Sequence, residues 1–228
     1  GTDAKVRNTK ESILEAQFTP GSGNWCTWMF GRDLVNWNNN FTWAKWVTPS
    51  RDLISAFKQE GDEVRFKESI VYYDCNWSNY YPSDNYPFMY KCRSANSSII
   101  KYRYADVLLL KAEALIMQDT PDLEGAADII DEVRDRAKLG ALPTSVRSNK
   151  NVLLNALLKE RRLELAFEGQ RWFDLVRLDK VEEVMNAVYA KDSGRKAQIY
   201  TFDKNSYRLP IPQSVIDAND KIHQNPGY

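Results

Sequence analysis

Histidine is nearly absent from this chain, with His223 the single one in 228 residues. A Ser/His/Asp or Cys/His mechanism would depend on one imidazole beside the C-terminus, which argues against both. The three cysteines, Cys26, Cys75 and Cys92, are too few and too scattered for a zinc site, which takes paired C-x2-4-C spacing. Cys75 and Cys92 flank an irregular segment and fit either a bridge in an oxidising compartment or free thiols. Charge of one sign is lacking too: 31 Lys+Arg balance 31 Asp+Glu for a formal net charge of +0. With no Lys/Arg-rich run, a nucleic-acid partner is not expected. No apolar stretch approaches the ~18–20 residues of a membrane span. The opening "GTDAKVRNTK" has neither an initiator Met nor a signal-peptide h-region, and it reads as a processed or truncated product. Asp and Asn oxygens suit calcium, but no D-x-[DN]-x-[DN]-G loop occurs, so no metal and no cofactor are expected. Sequons at Asn40, Asn76 and Asn96 read as chance in an Asn-rich chain.

What is present is a chain with 43% hydrophobic and 27% charged residues, ordinary for a globular protein and long enough to bury a core. Its two parts differ. Residues 1–104 hold six of the seven Trp and eight of the twelve Tyr. "GSGNWCTWMFGRDLVNWNNNFTWAKW" and "YYDCNWSNYYPSDNYPFMY" are also dense in Gly, Asn, Ser and Pro, the composition of loops and turns. Between them, "DEVRFKESIVYY" alternates well enough for a short strand.

From Ile99 the texture is helical. "YRYADVLLLKAEALIM" is apolar nearly all round and predicts a buried helix. "TPDLEGAADIIDEVRDRAKLG" predicts a second helix, with Thr120 as N-cap, Pro121 in its first position and Gly140 past its end. Leu123, Ala126, Ala127, Ile130, Val133 and Ala137 make its apolar face. Small Ala112, Ala114, Ala126 and Ala127 allow close packing, as in tetratricopeptide-like helix pairs. The period is not a regular repeat. A third helix runs from about Asn149 to Phe167, breaks at Gly169 and resumes through "RWFDLVRLDKVEEVMNAVYAK". The proline-bearing tail from Gln198 is expected to lie extended over the surface. The expected fold is mainly α: a tetratricopeptide-like α-α hairpin scaffold with long aromatic-rich loops and a few short strands. Residues 1–98 would form the loop-rich aromatic region and residues 99–228 the helical scaffold, within one compact unit.

"ERRLELAFEGQRWFDLVRL" sets Glu160, Glu164 and Glu168 four apart, one acidic line on a helix. Two carboxyl groups ~5–5.5 Å apart suit a retaining glycosidase and ~6.5–9.5 Å an inverting one. Arg161, Arg162, Arg171 and Arg177 argue against that use. Pairing lowers a carboxylate's pKa, whereas a general acid needs a raised one. Charges among Leu163, Leu165, Phe167, Trp172 and Phe173 must be paired to be tolerated. The expectation is an Arg/Glu network locking the scaffold at this corner, with no catalytic residue.

The same stretch resembles the C-terminal signature of the SusD/RagB family, cell-surface glycan-binding lipoproteins of Bacteroidetes. "YRYADVLLLKAEAL" and "AADIIDEVRDRAKL" look like the family's preceding helices, and "LPIPQSVIDANDKIHQNPGY" like its ending. "PSRDLISAFKQEGDEVRF" resembles the segment ahead of them. The resemblance thus runs from about Pro49 to Tyr228. It implies a mainly helical fold whose tetratricopeptide-like units and lipidated Cys belong to an N-terminal half absent here; none of the three cysteines is taken as that anchor. It further implies a non-catalytic binder of polysaccharide or oligosaccharide at the outer membrane, cell-surface exposed. Its expected partner is a SusC-like TonB-dependent transporter, with membrane contact only through the absent anchor.

Such a binder needs flat aromatic rings for the CH faces of sugars, with amides and charges at their edges. Candidate glycan-binding residues are Trp25, Trp28, Arg32, Trp37, Asn38, Asn39, Asn40, Trp43 and Trp46, with "NWNNNFTW" leading. A second group is Trp77, Tyr80 and Tyr81, with Tyr86, Asn76, Asn79 and Asp84 beside them. The competing reading makes these rings local core. The choice rests on residue chemistry, since the family signature covers this region poorly. Alternatives to glycan binding are a scaffold docking on the transporter or peptide uptake, either with the ligand site mostly in the missing half, and a glycosidase using Glu160 and Glu164 or loop carboxylates.

Overall fold

Apolar residues three and four apart decide where the core lies. Leu109, Ala112 and Ile116 from one helix, Ala126, Ala127, Ile130 and Val133 from the next, and Leu153 and Leu157 from a third are buried together. In the computed structural model, residues 7–18, 48–76, 78–91, 98–191 and 201–228 are described. The chain forms two compact units, Gly1–Gly169 and Gln170–Tyr228.

In the first unit, strand β1 (Ser12–Ala16) pairs antiparallel with β4 (Ile99–Arg103), setting Ser12 opposite Arg103 and Ala16 opposite Ile99. Helix α1 (Arg51–Glu60) starts at Ser50, whose side chain accepts from the Leu53 N–H at 3.1 Å. It stops at Gly61, whose φ of +70° closes the helix in the left-handed region. Asp62 then caps α2 (Glu63–Ser69) by accepting from the Arg65 N–H at 3.1 Å. The alternation in "DEVRFKESIVYY" therefore yields a helix first. Only Ile70–Tyr73 is strand (β2), paired antiparallel with β3 (Tyr86–Met89). A local cap outcompeted the period-2 pattern.

Three helices carry the main core: α3 (Tyr104–Met117), α4 (Leu123–Arg136) and α6 (Lys150–Glu164), with the single turn α5 (Thr144–Arg147) before the last. Ala112, Ala126 and Ala127 are fully buried, as close packing of α3 on α4 requires. Helix α3 is not buried all round, however. Val107, Leu110 and Met117 are 45%, 41% and 53% exposed, on the side away from Leu109 and Ile116. The N-cap of α4 is Asp122, accepting from the Gly125 N–H at 2.9 Å, not Thr120. Lys138, at φ +62°, turns the chain before Gly140. Asn149 caps α6, which ends at Glu164. Phe167 and Gly169, at φ +66° and +81°, then turn the chain.

The second unit holds α7 (Arg171–Arg177), α8 (Val181–Lys191), a 3-10 turn (Lys204–Tyr207) and α9 (Gln213–Asp217). Trp172 packs edge-on to Phe202 and Tyr207, and Phe202 stacks on Tyr189 with centroids 5.4 Å apart. Asn186 bonds both backbone groups of Phe202. Contrary to the extended tail expected, Pro212 stands before a short helix rather than preventing one, because its ring is tolerated at a helix start. Among the described residues the fold is thus mainly helical, with two two-stranded ribbons. The expected compositional boundary near Ile99 lies inside the first unit.

Leu157 is fully buried between three helices. Leu157→Ala should lower the unfolding free energy by about 2–5 kcal/mol, read as a shifted denaturation midpoint. A cost near zero would mean this cluster is not the core.

Candidate functional site

The acidic line is a buried electrostatic lock whose cations come from far away in sequence. Glu160 accepts from Arg65 Nη1 at 2.5 Å and from Arg134 Nη1 at 3.3 Å. Glu164 accepts from Arg103 Nη1 at 2.6 Å, from Arg65 Nη1 at 3.1 Å, and from Arg136. Glu168 accepts from Arg103 Nε and Lys91 Nζ, each at 2.7 Å. Arg103 Nη2 and Lys91 Nζ also donate to the Glu164 carbonyl, both at 2.7 Å. On the far side, Arg65 Nε bonds Asp62, and Arg103 Nη1 bonds Glu11 at 3.0 Å. The lock therefore joins α2, β4, α4 and α6 of the first unit.

The neighbouring arginines serve other partners. Arg161 pairs with Asp106 at 2.8 Å and Arg162 with Asp52 at 2.6 Å. Arg177 pairs with Asp174 within the second unit. A network at this position was legible, but its composition was not: Arg65, Arg103, Arg134, Arg136 and Lys91 supply the charge.

Burial pushes Glu160 upward against the pull of Arg65 and Arg134. Burial also acts to raise Glu164, but Arg103 and Arg136 outweigh it and hold the carboxyl down at about 2. Glu168 is likewise lowered, Lys91 and Arg103 overcoming burial. Glu164 and Glu168, so lowered, make poor proton donors at neutral pH.

The structure brings together a second set of groups between α1 and the β2–β3 hairpin. Arg51, Ser55, Lys58 and Gln59 line one wall of a cleft of about 470 Å³, over Ile54. Tyr72, Tyr81, Pro82 and Asn85 line the other. This volume falls in the about 300–1,000 Å³ range of small-ligand sites. The guanidinium of Arg51 lies 4.8 Å from the Tyr80 ring centroid and 4.5 Å from that of Tyr81. Its Nη2 donates to the Tyr80 carbonyl at 2.6 Å. The Tyr81 hydroxyl donates to the Pro49 carbonyl at 2.7 Å. Tyr80, Tyr81 and Tyr86 form an edge-to-face chain with centroids 5.0 and 5.6 Å apart, a favoured arrangement of ring quadrupoles. Burial raises the Tyr72 hydroxyl.

Of the sequence-predicted site residues, Tyr81 lines this cleft and Tyr80 holds Arg51 from behind. Trp25, Trp28, Arg32, Trp37, Asn38, Asn39, Asn40, Trp43, Trp46 and Trp77 lie outside the described residues, as do Cys26 and Cys92. Cys75 is a buried free thiol. Arg51, Tyr72 and Asn85 were not singled out from sequence. Only the hairpin pairing of Tyr73 with Tyr86 folds Asn85 back toward α1. Among the described residues no group of three His, Cys, Asp or Glu is placed to hold a metal ion. No described helix is long and apolar enough to cross a membrane.

Glu164→Gln should destabilise the chain by about 3–5 kcal/mol, since it strips charge from a buried pair. The folded-state pKa is depressed, so this stabilisation is full above the ordinary value of 4.5 and fades as pH falls toward about 2. The melting-temperature gap between wild type and Glu164→Gln should close over that window. A gap independent of pH, or no gap at pH 7, would refute the lock.

Comparison with known proteins places this architecture. The SusD family model matches residues 83–228. SusD-like protein P38 of Formosa agariphila is 43% identical over 99 residues, which are 41% of this chain and 19% of that relative. SusD-like protein P2 of the same organism is 36% identical over 143 residues, 60% of this chain and 27% of the relative. A SusD superfamily protein from Bacteroides vulgatus superposes with a TM-score of 0.71 at 21% identity, covering 100% of this chain and 53% of that one. A laminarin-binding SusD-like protein gives 0.65 at 26% identity, with 99% and 51% covered. Surface glycan-binding protein A from Bacteroides thetaiotaomicron, in complex with laminarihexaose, gives 0.68 at 20%, with 94% and 52% covered. The chain thus spans about half the length of these solved relatives, and its helical scaffold with the family-matched C-terminal segment makes it a member of the SusD family.

Proposed function

We propose that this chain is part of a cell-surface glycan-binding component of an outer-membrane nutrient uptake system. In this reading it acts with a SusC-like TonB-dependent transporter, carries out no catalysis, and reaches the membrane through a lipid anchor elsewhere in the protein. The observation that carries the reading is the cleft beside α1. There, two tyrosines stand opposite hydroxyl, amide and cationic groups, the mixture that grips a sugar by ring face and edge hydroxyls. The tryptophan- and asparagine-rich segment from Trp25 to Trp46 carries more of the same residue chemistry. Relatives named for laminarin binding and solved in complex with laminarihexaose support the ligand class. Glu164 and Glu168, held low by guanidinium and ammonium partners, support binding without turnover.

A protein-docking reading is favoured by one observation, the outward apolar side of α3 at Val107, Leu110 and Met117. Fluorescence titration against a glycan panel, confirmed by calorimetry, separates the two. Saturable binding to one polysaccharide class is expected. Trp37→Ala, Trp43→Ala and Asn85→Ala should each weaken it roughly tenfold, about 1.4 kcal/mol, with melting temperature unchanged. Silence across the panel, with Val107→Asp abolishing capture of the transporter, would replace glycan binding by docking.

A further inference from the structure

Helix α3 has two unlike sides. Leu109, Ala112 and Ile116 are buried against α4 and α6. On the other side stand Val107, Leu110 and Met117, each more than two-fifths exposed, with Ala114 exposed between them. These four positions step by three, four and three residues. That is the spacing of a helix–helix seam, in which each side chain enters a hole on a facing helix. The small Ala114 leaves room for a bulky side chain from that helix.

The surrounding fold gives the seam a direction. Stacked helical hairpins bury their apolar faces on one another, and the outermost unit turns a polar face to water. The α3–α4 hairpin packs α6 on one side and turns an apolar seam outward, the face of an inner unit. The stretch "YADVLLLKAEALIM", apolar nearly all round, has the composition of a helix with neighbours on every side. Two copies paired antiparallel on the seam would set Lys111 close to its own counterpart, because the two-fold axis would pass beside Ala112. A seam of four apolar residues also fits a permanent interface better than a transient one, which is more polar. Solved relatives supply the missing neighbour's source: this chain covers 53% of the Bacteroides vulgatus protein and 52% of the laminarihexaose complex.

We infer that a helix from the part of the same protein outside this chain lies along Val107, Leu110, Ala114 and Met117. That helix carries its own apolar residues three and four apart and crosses α3 at about 20°. The outer side of α3 then belongs to the core of the whole protein. This is independent of the glycan reading, and it removes the observation that favours docking.

The test is maleimide labelling of Leu110→Cys, followed at that residue by peptide mass. In the full-length protein the thiol should react at least about tenfold slower than in this chain alone, since a covered residue reacts only through local opening. Val107→Asp should lower the melting temperature of the full-length protein by several degrees and leave that of this chain unchanged. It buries an unpaired charge only where the seam is covered. Equally fast labelling of both proteins would overturn the inference. Protection of the full-length protein that appears only when the SusC-like transporter is added would assign the seam to that partner instead. Slow labelling of this chain by itself would mean a second copy if dilution relieves it, or a contact within the chain if not. Each of these outcomes overturns the inference and leaves the glycan reading standing.

Discussion

Burying three carboxylates on one side of a helix end is unfavourable unless cations reach all of them. Much of the first unit is arranged around meeting that condition. Arg103 is the pivot: it bonds Glu164 and Glu168 through side-chain oxygens, the Glu164 backbone, and Glu11 across the β1–β4 ribbon. Arg65 plays the matching part from α2, reaching Glu160, Glu164 and Asp62. An isolated charge in that position would cost several kcal/mol. The strand before α3, the short helix α2 and the end of α4 are thus held in one register relative to α6.

This constraint separates the two things the sequence offered as chemistry. A line of glutamates at helical spacing suits acid/base work only if one carboxyl keeps a proton near neutral pH. Here Glu164 and Glu168 are driven the other way by guanidinium and ammonium partners. The lock therefore serves as a frame. The cleft on the outer side of α1 is the frame's product, because α1 is anchored at its far end by Glu60, bonded to Arg134 and Lys159.

Charge distribution follows the same division. Acidic groups of α1 are consumed by the scaffold, while its basic groups at Arg51 and Lys58 face the cleft.

Local signals in the sequence determined the helices, their apolar faces and the family. Ala126, Ala127, Ile130, Val133 and Ala137 were readable because helical period and burial coincide there. The requirement that Glu160–Glu168 be paired was readable too, since buried charge must be neutralised wherever it lies. Caps and short turns were misread where two signals competed, as at Asp62 and Asp122, whose side chains bond N–H groups three residues on. The partners themselves were decided by tertiary structure alone. Arg65 lies 95 residues from Glu160, and Arg103 lies 61 from Glu164; no local spacing encodes such a meeting. The cleft is of the same kind. Arg51 meets Tyr81, and Asn85 faces the same space, only because a hairpin folds back over a helix some thirty residues earlier in the chain.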